Sequence, residues 1–166
     1  MAGSGGQTWF RVFDANRSVS SGGAVEVAPS DPNIVYVGTG DMISGGTLEQ
    51  SNGVYKSINA GATWQPLGLE GARHIQTIPV DPRTPDVVLV GALGDHVHTG
   101  DQRGVFRSTN GGRSWTRTLY VDDETGIVKL AHAHDMPDVI FATTWKPSTI
   151  QASREARPRH DRRFRQ

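Results

Sequence analysis

The sequence predicts an all-β chain built as part of a β-propeller, with about two complete four-stranded blades and parts of two others. Three observations lead there. A short phrase occurs twice in full, as Ser57-Ile-Asn-Ala-Gly-Ala-Thr-Trp64 and Ser108-Thr-Asn-Gly-Gly-Arg-Ser-Trp115, and the tail of a third copy stands at Gly5-Gly-Gln-Thr-Trp9. A phrase that returns after about 50 residues marks stacked units of one supersecondary design. Around it, Ile34-Val-Tyr-Val-Gly38, Val87-Val-Leu-Val-Gly91 and Val139-Ile-Phe-Ala142 recur at the same offset. Four short runs per repeat, rich in Val, Ile and aromatics and punctuated by Gly, Pro and Asn, are the pattern of a propeller blade.

Each element follows in order. First strands are expected at 24–28, 75–78 and 127–131. A turn succeeds each one: Ser30-Asp-Pro-Asn33, Val80-Asp-Pro-Arg-Thr-Pro-Asp86 and His134-Asp-Met-Pro-Asp138. Pro presets the backbone there, and Asp or Asn bonds the chain two residues on. Second strands are expected at 34–38, 87–91 and 139–142, and third strands at 53–57 and 104–108. Fourth strands begin at the Thr or Ser before each Trp, at 63–67 and 114–121. Residues up to 13 supply the outer strand of another blade. No stretch carries a helical period.

The phrase has its own physical logic. Gly61, and Gly111 or Gly112, can take a positive φ that other residues resist. Asn59 and Asn110 can bond nearby backbone N–H groups and staple the hairpin. Trp64 and Trp115 are expected to pack sideways into their blade.

These residues resemble the Asp-box, or BNR repeat, of pattern Ser-x-Asp-x-Gly-x-Thr-Trp. The wider text around both copies resembles sortilin-type and glycosyl-hydrolase-type BNR propellers over residues 1–145. The resemblance assigns structural roles to Ser57, Asn59, Gly61, Thr63 and Trp64, to Ser108, Asn110, Gly112, Ser114 and Trp115, and to Thr8 and Trp9. The chain departs from the pattern at the Asp position, which is Asn in both full copies and Ser4 in the partial one. Asn keeps the hydrogen-bonding geometry and loses the charge.

Propellers close with about four to eight blades. The chain is therefore expected to be a piece of a longer protein, or to assemble with other chains, and to self-associate through open blade edges. It has no cysteine, which removes disulfide and thiol chemistry. No apolar run reaches membrane-spanning length, so no membrane partner is expected. The N-terminus has neither the basic start nor the apolar core of a signal peptide, and a longer parent could still be secreted or periplasmic. Residues 146–166 carry seven of the seventeen Lys and Arg residues. Their lack of alternation reads as a basic tail, disordered or out of frame, rather than a nucleic-acid-binding arm.

Blade topology sorts the loops. The phrases and the Asp-Pro turns share one face. Loops 40–52, 67–74, 93–103 and 122–126 share the other, which is longer-looped and the expected ligand face. It carries Asp41, Arg73-His74, Asp95-His96-Val-His98 and Asp122-Asp123-Glu124. Arg73 and His74 are candidates for a role at the channel mouth, with hydrogen bonding between blades as the competing role. His96 and His98 could face one side of an extended segment, as metal ligands do, but no third ligand is evident. Asp122 and Asp123 supply too few convergent oxygens for calcium. No metal or other cofactor is therefore expected. His132-x-His134-Asp135 falls on the turn face and reads as surface filler.

The resemblance leaves two functions open. The first is a non-catalytic scaffold of the sortilin type that binds a protein, a peptide or a glycan. The second is part of a glycoside hydrolase, of xyloglucanase or sialidase type, whose catalytic carboxylates lie mostly elsewhere. Glycoside hydrolysis takes two carboxylates across the scissile bond. No motif here selects such a pair, and neither the sialidase arginine cluster nor the xyloglucanase Asp signature is matched, so no catalytic residue is assigned.

Overall fold

The computed structural model describes residues 2–13, 21–40, 51–95 and 98–147. Strands β1 (Ala2–Gly3) and β2 (Thr8–Trp9) pair around a single 3-10 turn, the one helical element among the described residues. Two four-stranded sheets follow. The first runs β3 (Gly22–Val27), β4 (Val35–Thr39), β5 (Val54–Ser57) and β6 (Gln65–Pro66); the second runs β7 (Ile75–Thr77), β8 (Val88–Ala92), β9 (Gly104–Ser108) and β10 (Thr116–Leu119). Each is an antiparallel meander with strands adjacent in sequence order. A hairpin of β11 (Gly126–Ala133) and β12 (Met136–Trp145) supplies the inner pair of a further blade. The predicted all-β propeller architecture is the one observed.

The middle strands of the two sheets pair in the same register. Val35 pairs with Ser57 in the first, and Val88 with Ser108 in the second. The fourth strands are shorter than the sequence suggests. Thr63 N–H and Ser114 N–H donate to Asn59 Oδ1 (2.8 Å) and Asn110 Oδ1 (3.0 Å), so these residues stay in the turn. The last hairpin is longer than expected. Its turn tightens to His134–Asp135, and pairing then continues out to Gly126 against Trp145.

Strand alternation divides the apolar residues between the faces of each blade. Tyr36 and Val54 of the first blade meet Ile75, Val88, Val90 and Phe106 of the second in the larger core. Leu89 and Val105 face the other way, onto Ile127, Leu130 and Ile140 of the hairpin. Polar ties reinforce both junctions. Tyr36 Oη donates to Pro85 O at 2.9 Å, and Thr77 Oγ1 lies 3.3 Å from Leu130 N. Arg83 bridges Asp81 at 2.7 Å and Asp138 at 2.6 Å, joining the second blade to the hairpin.

The repeated phrases do more than close their own turns. Ser57 Oγ accepts from Asn59 N–H and Gly61 N–H, and Ser108 Oγ from Asn110 N–H and Gly112 N–H. Gly61 and Gly112 adopt φ of 89° and 90°, which a side chain resists. Each Trp then reaches backwards. Trp115 Nε1 donates to Leu67 O at 2.8 Å, and Trp64 Nε1 donates to Val12 O at 2.7 Å. Leu67 and Val12 each stand three residues after the preceding copy's Trp. The indole thus ties its blade to the outer strand of the blade before, instead of packing only within its own. This places residues 8–13 where an earlier blade's outer strand belongs. Trp9, with no such partner strand described, is 75% exposed.

Candidate functional site

The two faces separate as blade topology requires. Ala60 N–H donates to Asn33 O and Gly111 N–H to Asp86 O, so phrase turns and Asp-Pro turns meet on one face. On the other face, Gly94 N–H donates to Arg73 O at 2.8 Å and Gly100 N–H to Asp123 O at 2.9 Å. These bonds hold loops 67–74 and 93–103 around one recess of about 210 Å³, with loop 122–126 tied to its outer side through Gly100.

Asp95 is the hub of that recess. Its Oδ2 accepts from Arg73 Nη1 at 2.9 Å and lies 3.1 Å from His98 Nδ1. Its Oδ1 accepts the His98 backbone N–H at 3.2 Å. The carboxylate is 14% exposed, while the Arg73 and His98 side chains are more than half exposed. With Nδ1–H directed to the carboxylate, His98 Nε2 is left as the acceptor. Thr99 and Gln102 complete the polar lining, and Gly71, Gly94 and Gly100 leave bare backbone between them.

Arg103 holds the recess from below. It is fully buried, and among the described residues its partners are backbone carbonyls. Its Nε donates to Asp123 O at 3.0 Å, and its Nη2 to His98 O at 2.8 Å. Further bonds reach Leu93 O and Asp95 O. One planar fork therefore gathers four carbonyls from two loops. Burial pulls its pKa down, against the opposing pull of Asp95, Asp123, Asp122 and Glu124. Gly94 is required beside it: its φ is 77°, and a Cβ there would lie 2.5 Å from Arg103 Cγ.

The other sequence candidates fall variously. Asp41 and His96 lie outside the described residues. His74 is buried with φ of 55°, and a Cβ on Gly40 would lie 2.9 Å from its backbone N. It therefore forms part of the packing between blades. Asp122 Oδ1 accepts Glu124 N–H at 2.9 Å and Thr125 N–H at 2.6 Å. Those bonds, the Glu124 one first, hold its pKa below the ordinary carboxylate range. It caps a turn. Asp123 contributes its carbonyl to Arg103. Glu124 is buried and ion-paired with Lys146, and Pro147 beside it is buried as well. Among the described residues no three His, Cys, Asp or Glu side chains gather as a metal site. Sequence reasoning missed Arg103 and Gln102. The signal for Arg103 was its place directly before Gly104-Val-Phe, where the first blade has Asn52.

No family model and no curated protein matches the chain. Solved structures do. An ancestral GH74 enzyme aligns at TM-score 0.58 and 18% identity, over 80% of this chain and 18% of its own. A GH74 enzyme of Niastella koreensis aligns at 0.53 and 19%, over 75% and 19% respectively. A GH74 xyloglucanase of Xanthomonas campestris gives 0.49 and 16% identity, covering 75% and 20%. The chain spans about a fifth of the length of these structures. At such identity the likeness establishes the propeller fold.

Proposed function

We propose that the chain is part of a glycoside-hydrolase-type β-propeller, and that its share of the work is to bind a glycan in the Arg73–Asp95–His98 recess. The Asp-box reading of the phrases belongs to the same proposal, as the structural repeat of such a propeller. The fold likeness to GH74 enzymes favours this reading over the sortilin type.

The observation that carries it is the chemistry of the recess. A pyranose offers neighbouring hydroxyls, each both donor and acceptor. Asp95 and His98 Nε2 accept, Arg73 donates, and Thr99 and Gln102 do both. The bonds of Arg73 and His98 to Asp95 fix these three groups before a ligand arrives, which lowers the ordering cost of binding. A few precisely placed polar groups in a concavity fix a ligand's orientation. Asp95 is the single carboxylate lining the recess among the described residues. Hydrolysis takes two, so this recess supplies substrate grip and not the catalytic pair.

The test is calorimetric titration of the chain with a panel of neutral oligosaccharides, xyloglucan fragments included. Saturable binding that Asp95→Ala abolishes and Arg107→Ala leaves intact supports the reading. Binding unchanged by Asp95→Ala, or none to any oligosaccharide, would overturn it.

A further inference from the structure

His98 differs in kind from the other side chains that line the recess. Arg73 and Arg103 stay cationic, and Thr99 and Gln102 do not titrate. An imidazole changes charge between about pH 5 and 8, and a carboxylate ordinarily does so below that range. The ring of His98 is held at one end only. Its Nδ1 lies 3.1 Å from Asp95 Oδ2, and its backbone N–H donates to Asp95 Oδ1 at 3.2 Å. Its carbonyl accepts from Arg103 Nη2 at 2.8 Å. The backbone is thus tied on both sides, the Nδ1 contact orients the ring, and Nε2 is the atom left for a ligand.

Proton bookkeeping at Nε2 gives the consequence. With the imidazole neutral, Nδ1–H goes to Asp95 and Nε2 keeps its lone pair. A sugar hydroxyl can then accept from Arg73, which only donates, and give its own proton to Nε2. A further proton turns Nε2 into a donor. The hydroxyl then meets two donors, and its proton loses that acceptor. Asp95 is a poor replacement, because it already receives Arg73, His98 Nδ1 and the His98 N–H, and an imidazolium strengthens its own claim through a charge-assisted bond. Protonation also adds one positive charge above the buried Arg103, and a neutral sugar offers nothing to balance it.

The charged and titratable groups in the loops packed around His98 are few in kind. Loop 67–74 brings Glu70, Arg73 and His74; its own loop brings Asp95, Asp101 and Arg103; loop 122–126 brings Asp122, Asp123 and Glu124, the last paired with Lys146. Among the described ones His74 is the other imidazole, and it is buried in the blade junction.

We propose that His98 makes the recess a pH-dependent grip: the neutral imidazole accepts from a sugar hydroxyl through Nε2, and protonation withdraws that acceptor and releases a neutral sugar. This deepens the glycan reading and rests on it.

Calorimetric titration of the chain with neutral xyloglucan fragments, at about pH 8 and about pH 5, reads the switch, with circular dichroism on the same samples to follow the fold. Affinity is expected to fall roughly fivefold at the lower pH, the worth of one net hydrogen bond. Between the two, binding should release protons, seen as a heat that changes with the ionisation enthalpy of the buffer. His98→Gln keeps a side-chain acceptor and cannot change charge, so it should bind with one affinity across the range and release no proton. Saturable wild-type binding of equal affinity at both pH values would overturn the inference and leave the glycan reading standing. So would a pH dependence that persists in His98→Gln, which would assign it to another group. Absence of saturable binding at either pH would overturn the glycan reading and this inference with it.

Discussion

Truncating the three tryptophans of the phrase should cost three different amounts, although the copies look alike in sequence. Trp115 is packed against the larger core and donates to Leu67 O across a blade junction. Large aromatic truncations in cores cost about 3–5 kcal/mol, and partial burial puts Trp115→Ala near the lower end, at about 3 kcal/mol. For a chain of this size that is a fall in Tm of roughly 6–12 °C. Trp64 has the equivalent bond to Val12 O, but it packs against Phe13 beside an open cavity. Trp64→Ala should cost about 2 kcal/mol, on the same truncation scale reduced for exposure. Trp9 is mostly exposed, and Trp9→Ala should stay within about 0.5 kcal/mol. Trp115→Phe isolates the indole hydrogen bond and should cost about 1–2 kcal/mol, since it also leaves Leu67 O without its donor. Urea unfolding followed by circular dichroism measures all four without relying on tryptophan emission. Equal losses for Trp9→Ala and Trp115→Ala would refute the claim that the indoles act by tying blades together.

Other predictions rest on single contacts. Arg103→Ala should destabilise by about 2–4 kcal/mol, because it strands four carbonyls; Arg103→Lys should not rescue it, since an ammonium lacks the planar fork, and chemical unfolding of both variants checks this. Asn59→Asp should change stability by less than about 0.5 kcal/mol, because Asn59 Oδ1 already accepts from Thr63 N–H and the Thr63 hydroxyl can turn to donate; a large loss of Tm would show that the turn needs the amide. Hydrogen bonding from Arg83 holds the Asp81 carboxyl at about 2, below its unfolded value of about 3.9. A depressed carboxyl pKa gives stability that is full above about pH 4 and lost as pH falls towards 2. Arg83→Gln should therefore flatten the stability-against-pH curve in that window, and an unchanged acid limb would contradict it.

Much of the fold was legible because the blade writes its geometry locally. Gly61 and Gly112 at positive φ, the Asn59 and Asn110 staples and the Asp-Pro turns all act within a few residues, so periodic spacing exposed them. What crossed between blades was not legible. That Trp115 bonds Leu67, and Trp64 bonds Val12, depends on how neighbouring sheets stack, and single-blade reasoning left each indole at home. The site was partly readable. Loop topology put Arg73, Asp95 and His98 on one face, and the structure joins them through one carboxylate. The same reasoning could not separate Asp122, whose oxygen is consumed by backbone N–H groups, from a free ligand. For His74 it offered the channel mouth and the blade junction as competing places, and the structure puts it, buried and at positive φ, in the junction. Arg103 read as the last residue of a loop, and its carbonyl partners lie in loops with no pattern of their own.

The most direct test of the glycan-binding account is amide chemical-shift mapping by NMR as an oligosaccharide that binds in calorimetry is added. The account predicts shifts concentrated at Arg73, Asp95 and residues 98–103, with the Val25–Val27 strand and the phrase turns silent. Shifts centred on the phrase face or on the β3–β4 cavity, with the recess unmoved, would contradict it.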